Sequence, residues 1–181
     1  MYKRQVLTRV IAQAKRQSAP AQLNIPRDMW TKVVDIEIPE PIEFEHSRGG
    51  GKSVSDAANL LSNAKNPVIL NGAGVVLSKG GISASMKLAE KLDAPVITTP
   101  NGKGALRDDH PLLMGPLLLS RPILKAVQDA DLMIAVGTRF QAGVAGGQVA
   151  MPMPKMVHID VDPRNINLNY RPEVGVVGDA K

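Results

Sequence analysis

Asn66-Pro67-Val68-Ile69-Leu70-Asn71-Gly72-Ala73-Gly74-Val75-Val76 is the stretch whose reading decides the fold. A continuous apolar run without alternation suits a strand buried on both faces, as in a parallel sheet. Gly72 and Gly74 let the backbone turn sharply and approach closely whatever lies over the strand end. Leu77 to Asp93 reads as a loop and a helix, and Ala94-Pro95-Val96-Ile97-Thr98-Thr99 repeats the strand signal. Together these make one βαβ unit with a right-handed crossover. The expected ligand position in such a sheet is the crevice beyond the carboxyl ends of its strands.

As a dinucleotide fingerprint the stretch is incomplete. Gly72-x-Gly74 is followed by Leu77 where a third glycine would stand, and the second strand ends in Thr98-Thr99 without the usual acid. This argues against an ordinary NAD dehydrogenase. A turn that merely reverses the chain explains the two glycines equally well.

With 181 residues, 44% hydrophobic and 22% charged, the chain has the balance of a globular protein with one good core. It contains no cysteine, which excludes disulfides, thiolate nucleophiles and cysteine-bound zinc. No apolar run approaches the roughly 20 residues of a membrane helix, and the start, Met1-Tyr2-Lys3-Arg4, lacks a signal-peptide core. A cytoplasmic protein without membrane partners is the expectation. The net charge of +5 does not form one basic stripe, and aromatic residues are only 3%, too few for stacking platforms. Nucleic acid is therefore not an expected partner.

Along the chain, Val6, Leu7, Val10, Ile11 and Ala14 follow the spacing of an amphipathic helix, and Ala21 to Ile25 alternates like a strand stopped by Pro26. Residues 35–52 are rich in Pro and Gly, a linker composition in which His46 stands alone. Ser53-Val54-Ser55-Asp56 has capping-box spacing and opens a helix. A short strand is predicted at Leu112 to Gly115, and a helix over Ile123 to Ala130 with Ser120 as cap and Pro122 in its first turn. Leu132 to Gly137, Lys155 to Val161 and Val174 to Asp179 read as further apolar strands, the first leading into a glycine-rich loop through Gly147. The fold class is α/β: an open parallel sheet of about six strands with helices on both faces, Rossmann-like, of the DHS-like nucleotide-binding type.

Reaction chemistry is scarce. Asp108-Asp109-His110-Pro111 lacks the partners of a metal or base site and reads as a structural loop. Neither a nucleophile elbow nor a phosphate loop occurs. Arg139 is placed either to clamp a phosphate or to bridge the sheet edge. Asp160 and Asp162 suit a ribose or adenine, or the capping of a helix near Asn165. No residue is predicted to be catalytic and none to bind metal.

Several segments taken in order nevertheless resemble one family. They are Gln22-Leu23-Asn24-Ile25-Pro26-Arg27-Asp28, Pro67 to Leu70, Gly102-Lys103-Gly104 with Asp109-His110-Pro111, Ala130 to Phe140, His158-Ile159-Asp160-Val161-Asp162-Pro163, Asn169-Tyr170 and Gly178 to Lys181. The chain resembles the central domain of thiamine-diphosphate-dependent 2-oxoacid enzymes of the acetolactate synthase group. Gly49-Gly50-Gly51 followed by Ser53 is similar to sulfoacetaldehyde acetyltransferases, relatives within that group.

The resemblance implies that residues 1–34 are the tail of a pyrimidine-binding domain, 35–52 a linker and 53–181 the central domain, with the diphosphate-binding domain absent. It implies a carboligase or acyl-transferring parent enzyme, a homodimer or homotetramer using thiamine diphosphate and Mg²⁺, neither bound by this chain. A 2-oxoacid decarboxylase of the same family is an alternative parent. A stand-alone nucleotide-binding module, like electron-transfer flavoproteins or sirtuins, is the alternative from another class. In flavin-binding members the central domain holds FAD, and Gly72, Gly74, Gly137, Arg139, Asp160, Asp162 and Asp179 match the positions around the nucleotide. Against FAD stand Gln17 for an arginine, Leu118-Leu119-Ser120 for a His-Gly-Thr turn, and Gln141-Ala142-Gly143 for Asp-Asp-Arg. An ADP-like nucleotide remains compatible.

Overall fold

The computed structural model describes residues 2–17, 19–33, 35, 47–116, 120–140 and 153–181. The chain divides into two compact units, Met1–His46 and Ser47–Lys181. In the first, α1 (Tyr2–Gln17) is the predicted amphipathic helix. It buries Ala12 but leaves Val6, Leu7 and Ile11 between 44% and 48% exposed, so its apolar stripe is only half covered.

The second unit carries α2 (Gly51–Asn63), β1 (Pro67–Asn71), α3 (Ala73–Leu77), α4 (Gly81–Leu92), β2 (Val96–Thr98), β3 (Leu113–Pro116), α5 (Arg121–Asp129), β4 (Leu132–Val136), β5 (Lys155–Asp160) and β6 (Val174–Val177). The six strands form one sheet in the order β3-β2-β1-β4-β5-β6. Every pairing is parallel, with Ile69 opposite Val96 and Ile134, and Val157 opposite Ile134 and Val174.

The continuous apolar runs are explained by the layers. All five residues of β1 and of β4 are buried, because helices cover both faces. On one face, Ile123 and Val127 of α5 pack on Val68, Leu70, Met133, Ala135 and Met156. On the other, Val75 of α3 and Ala89 of α4 pack on Ile69, Val96, Ile134 and Val136. There Ala57 of α2 also meets Leu132, Val157 and Val176. The predicted class, an open parallel α/β sheet of six strands, is the observed one.

Three local expectations are corrected. Residues 21–26 form no strand; Leu23 and Ile25 are 37% and 50% exposed, and no described strand lies alongside to pair with them. α2 starts at Gly51, so Gly51 and Lys52 belong to the helix. Its cap is Gly50, whose carbonyl accepts from the Ser53 hydroxyl at 3.0 Å; Ser53 lies inside the first turn. Ser120 is the cap of α5 and Pro122 lies in its first turn, as expected, although Ser120 makes no side-chain cap bond. The loop predicted around Leu77 begins only at Ser78, because Gly72 opens directly into α3.

β5 carries the one buried histidine of the sheet. His158 donates from Nε2 to the Thr138 carbonyl at 2.9 Å, while Nδ1 is buried without a partner. Phe140 stands edge-on to the ring at 5.4 Å and Tyr170 edge-on to Phe140 at 5.1 Å. Burial pushes the imidazole pKa down, opposed in part by the Thr138 carbonyl and the Asp160 charge. The folded protein therefore refuses a proton that the unfolded chain accepts near pH 6.5. Stability must fall as pH drops below that value. Denaturant titrations at pH 7.5 and 5.5 should show a loss of up to roughly 1.4 kcal/mol per pH unit from this group. His158→Phe should lose clearly less on acidification than the parent, and an identical pH dependence in both would contradict the assignment.

Candidate functional site

The strand order reverses between β1 and β4: the chain runs outward from β1 to β2 and β3, then returns through β4 to β5 and β6. The crevice outside the carboxyl ends at such a switch point is the ligand position of doubly wound sheets. Here it falls between the Gly72-Ala73-Gly74 turn and Gly137, with Asp160 on the next strand. The sequence-predicted glycines are thus brought together, and the structure shows what they do.

They pack backbone against backbone. A Cβ on Gly72 would lie 2.2 Å from the Gly137 carbonyl oxygen, and one on Gly74 would lie 2.6 Å from Gly137 Cα. Gly137 itself has φ +59, the left-handed region. The Gly72 amide donates to the Val136 carbonyl at 2.8 Å and the Gly74 amide to the Gly137 carbonyl at 3.0 Å. Hydrogen bonding continues past the strand ends across the rim: Thr99 donates to Asn71, Gly137 to Ile159 and Gly178 to Asp160. Gly102, not singled out as a site residue, belongs to the same rim, since a Cβ there would meet the Asn71 carbonyl oxygen at 2.2 Å.

The acids on the rim are engaged within the chain. Asp160 Oδ1 accepts from the Asp162 amide and from Asn165 Nδ2, both at 2.9 Å. Asp162 caps the short turn Pro163–Asn165 and holds the Arg164 guanidinium at 2.7 Å. That hydrogen-bonded guanidinium is the main reason its carboxyl pKa is depressed. Of the two readings left open, capping of a turn is the one whose bonds are present. Asp179 accepts from the Ser78 hydroxyl and from the Lys181 amide at 3.0 Å, while its own amide donates to the Ser47 carbonyl at 2.7 Å. It ties the first and last residues of this unit to the α3–α4 turn and stands apart from the Asp160–Asp162 pair in these bonds.

Arg139 is exposed, and its guanidinium makes no hydrogen bond or ion pair among the described residues. Its charge is felt by Asp162. Its backbone carbonyl accepts from Asn169 Nδ2 at 2.7 Å. A polar pair missed from sequence lies under the turn: Asn71 Nδ2 donates to Ser85 Oγ at 2.6 Å, leaving Asn71 Oδ1 buried without a partner. No motif announces it, because the pair forms only when α4 covers β1. His110 has the structural role expected of it, with Nδ1 accepting from the Leu112 amide at 3.2 Å and Nε2 facing Glu90 at 3.5 Å.

Leu118, Leu119 and Gln141 to Gly143, like the glycine-rich loop as far as Gly147, lie outside the described residues. Among the described residues no group of three or more His, Asp or Glu is assembled to hold a metal. Nor is any helix long and apolar enough to cross a membrane. A diphosphate bound through Mg²⁺ needs aligned carboxylates, so the described donors do not fit thiamine diphosphate.

Fold and switch point define a doubly wound α/β domain of the dinucleotide-binding architecture. Residues 54–181 match the family described as thiamine pyrophosphate enzyme, central domain, and the chain belongs to that family. It is 46% identical over 183 residues to the sulfoacetaldehyde acetyltransferase of Roseovarius nubinhibens, covering 98% of this chain and 30% of that protein. It is 36% identical over 172 residues to a Methanocaldococcus jannaschii protein assigned as an acetolactate synthase large subunit, covering 90% of this chain and 29% of that one. In structure it is similar to a Mycobacterium smegmatis enzyme assigned as thiamin diphosphate-dependent, with TM-score 0.62 and 23% identity over 80% of this chain and 28% of the other, a likeness of fold. The chain thus spans about 30% of the length of the curated relatives it matches. Family membership decides against the electron-transfer flavoprotein and sirtuin alternatives.

The glycine contacts make a direct test. Gly72→Ala forces its methyl into the Gly137 carbonyl and should cost about 2–4 kcal/mol. Gly51→Ala, at the start of α2 with nothing within 4 Å of the new Cβ, should be neutral or stabilising by up to about 1 kcal/mol. Equal urea midpoints for the two variants would show that the contact is not present in solution.

Proposed function

We propose that this chain is the central domain of a thiamine-diphosphate-dependent acyl-transferring enzyme of the sulfoacetaldehyde acetyltransferase type. The observation that carries the proposal is the 46% identity to the Roseovarius acetyltransferase, which runs over 98% of the chain and so includes its first unit. An acetolactate synthase, the parent first expected from the sequence, is the second reading, favoured by the 36% identity to the Methanocaldococcus protein. In either case the carbanion chemistry belongs to the cofactor, and the protein supplies binding and orientation.

On this proposal residues 1–34 are the tail of a pyrimidine-binding domain, the linker runs from 35 to the start of α2 at Gly51, and the central domain follows to 181. The pyrimidine- and diphosphate-binding domains of the same enzyme are the partners of this one. The exposed apolar residues Ile11, Ile25, Trp30 and Val33 favour that arrangement, since apolar surface of this kind seeks cover. Thiamine diphosphate and Mg²⁺ are held outside the residues described here, the assembly is a homodimer or homotetramer, and the compartment is the cytoplasm. The role of the central domain is to carry and space the catalytic domains, with Arg139, Asp160 and Asp162 as the side chains facing any adenine nucleotide that enters the crevice.

The test is turnover by the full-length protein with thiamine diphosphate and Mg²⁺. Consumption of sulfoacetaldehyde exceeding formation of acetolactate from pyruvate by at least about tenfold in kcat/KM, a difference of roughly 1.4 kcal/mol, is the expected result. The opposite ratio would move the assignment to acetolactate synthase, and turnover of neither would overturn both.

The isolated chain gives a second check. Titrated in a calorimeter with thiamine diphosphate and Mg²⁺ together, it should give no saturable heat, because no carboxylate set is assembled for the metal among its described residues. Saturation at micromolar cofactor would contradict this.

A further inference from the structure

The crevice at the switch point has the architecture of a pyrophosphate seat, and the amides of its two glycines are already engaged within the chain. In doubly wound folds the turn after the first strand presents free amides, and the following helix adds its N-terminal dipole. Here the Gly72 and Gly74 amides already donate to the carbonyls of Val136 and Gly137, and the Val75 amide donates to the Gly72 carbonyl at 3.2 Å. The helix that follows, α3, has five residues, little more than one turn of aligned peptide dipoles. The glycines that would let a phosphate approach are filled instead, because ideal Cβ positions on Gly72 and Gly74 fall 2.2 Å and 2.6 Å from atoms of Gly137.

We infer that the phosphate seat of this domain is occupied by its own backbone, through the Gly74 amide–Gly137 carbonyl joint, and that no dinucleotide is held there by its pyrophosphate. The consequence reaches FAD, which the family resemblance makes the natural candidate. For a pyrophosphate to take these amides, the Val136–Gly137 segment would have to withdraw and break the bonds from Gly72 to the Val136 carbonyl and from Gly74 to the Gly137 carbonyl. Withdrawal would also disturb the Gly137 amide bond to the Ile159 carbonyl, which carries the rim across to β5 at 2.8 Å. The joint therefore closes the sheet rim as well as the turn. Among the described residues, the side chains that a nucleotide entering the crevice would meet are the exposed guanidinium of Arg139 and the carboxylates of Asp160 and Asp162, already engaged by Asn165 and Arg164. The inference stands on backbone geometry and does not depend on which acyl transfer the enzyme performs.

Hydrogen exchange on the full-length protein, read by mass spectrometry with and without millimolar ADP or FAD, is the test. Peptides reporting Gly72, Gly74 and Gly137 should exchange about 100-fold or more slower than unstructured amides in the ligand-free protein, as hydrogen-bonded core amides do. Either nucleotide should change that rate by less than about twofold, since no new partner reaches those amides. Rapid exchange slowed tenfold or more by a nucleotide would overturn the inference in favour of a phosphate seat. Slow exchange slowed a further tenfold would do the same, and rapid exchange in both states would show that the joint does not form.

Discussion

The contact on which this domain depends is between two pieces of backbone. The turn after β1 and the residue after β4 approach so closely that side chains are excluded from Gly72, Gly74 and Gly137 alike. The approach is set by the sheet: β1 and β4 are neighbours in full register from Pro67 opposite Leu132 to Asn71 opposite Val136. Beyond that register the two chains diverge, into α3 on one face and to Phe140, which packs on the other. Glycine allows them to keep hydrogen bonding while they diverge, and a methyl group at any of the three positions would drive them apart. The unpaired amides and carbonyls that parallel strands leave at their ends are thereby satisfied internally, as buried backbone groups require.

The polar side chains of the rim serve the same closure. Asp160 and Asp162 hold the turn after β5, Asp179 fastens Ser47 and Ser78, and Asn71 reaches Ser85. Groups that would look like a ligand shell in a sequence alignment of motifs are thus turned largely inward. This agrees with the proposed role of the domain, which is to carry and space other domains of the enzyme. It also explains why catalytic residue types are sparse here although the family is enzymatic.

The sheet was legible because burial on both faces leaves a plain mark: Val68-Ile69-Leu70 and Leu132 to Val136 are unbroken apolar runs between turn signals. β3 was a weaker signal because it is an edge strand, half-buried and ending in Pro116. Ala21 to Ile25 misled because alternation marks a strand only when another strand lies beside it, and composition cannot supply that neighbour. The glycines are conspicuous in the sequence and their function is not. Gly72 and Gly74 are close in sequence, but Gly137 is 63 residues beyond Gly74, and only the adjacency of β1 and β4 reveals that it fills their turn. Asp160-x-Asp162 was equally ambiguous, since a carboxylate that accepts from its own backbone two residues on reads the same as one waiting for a ribose.

The central claim, that backbone closes the switch point of this domain, is tested most directly by an experimental structure of the full-length protein grown with ADP. The account predicts the Gly74 amide and the Gly137 carbonyl oxygen still 3.0 Å apart, with no phosphate oxygen in contact with the Gly72 or Gly74 amide. A phosphate bound to those amides, with Gly137 drawn back from the turn, would contradict it.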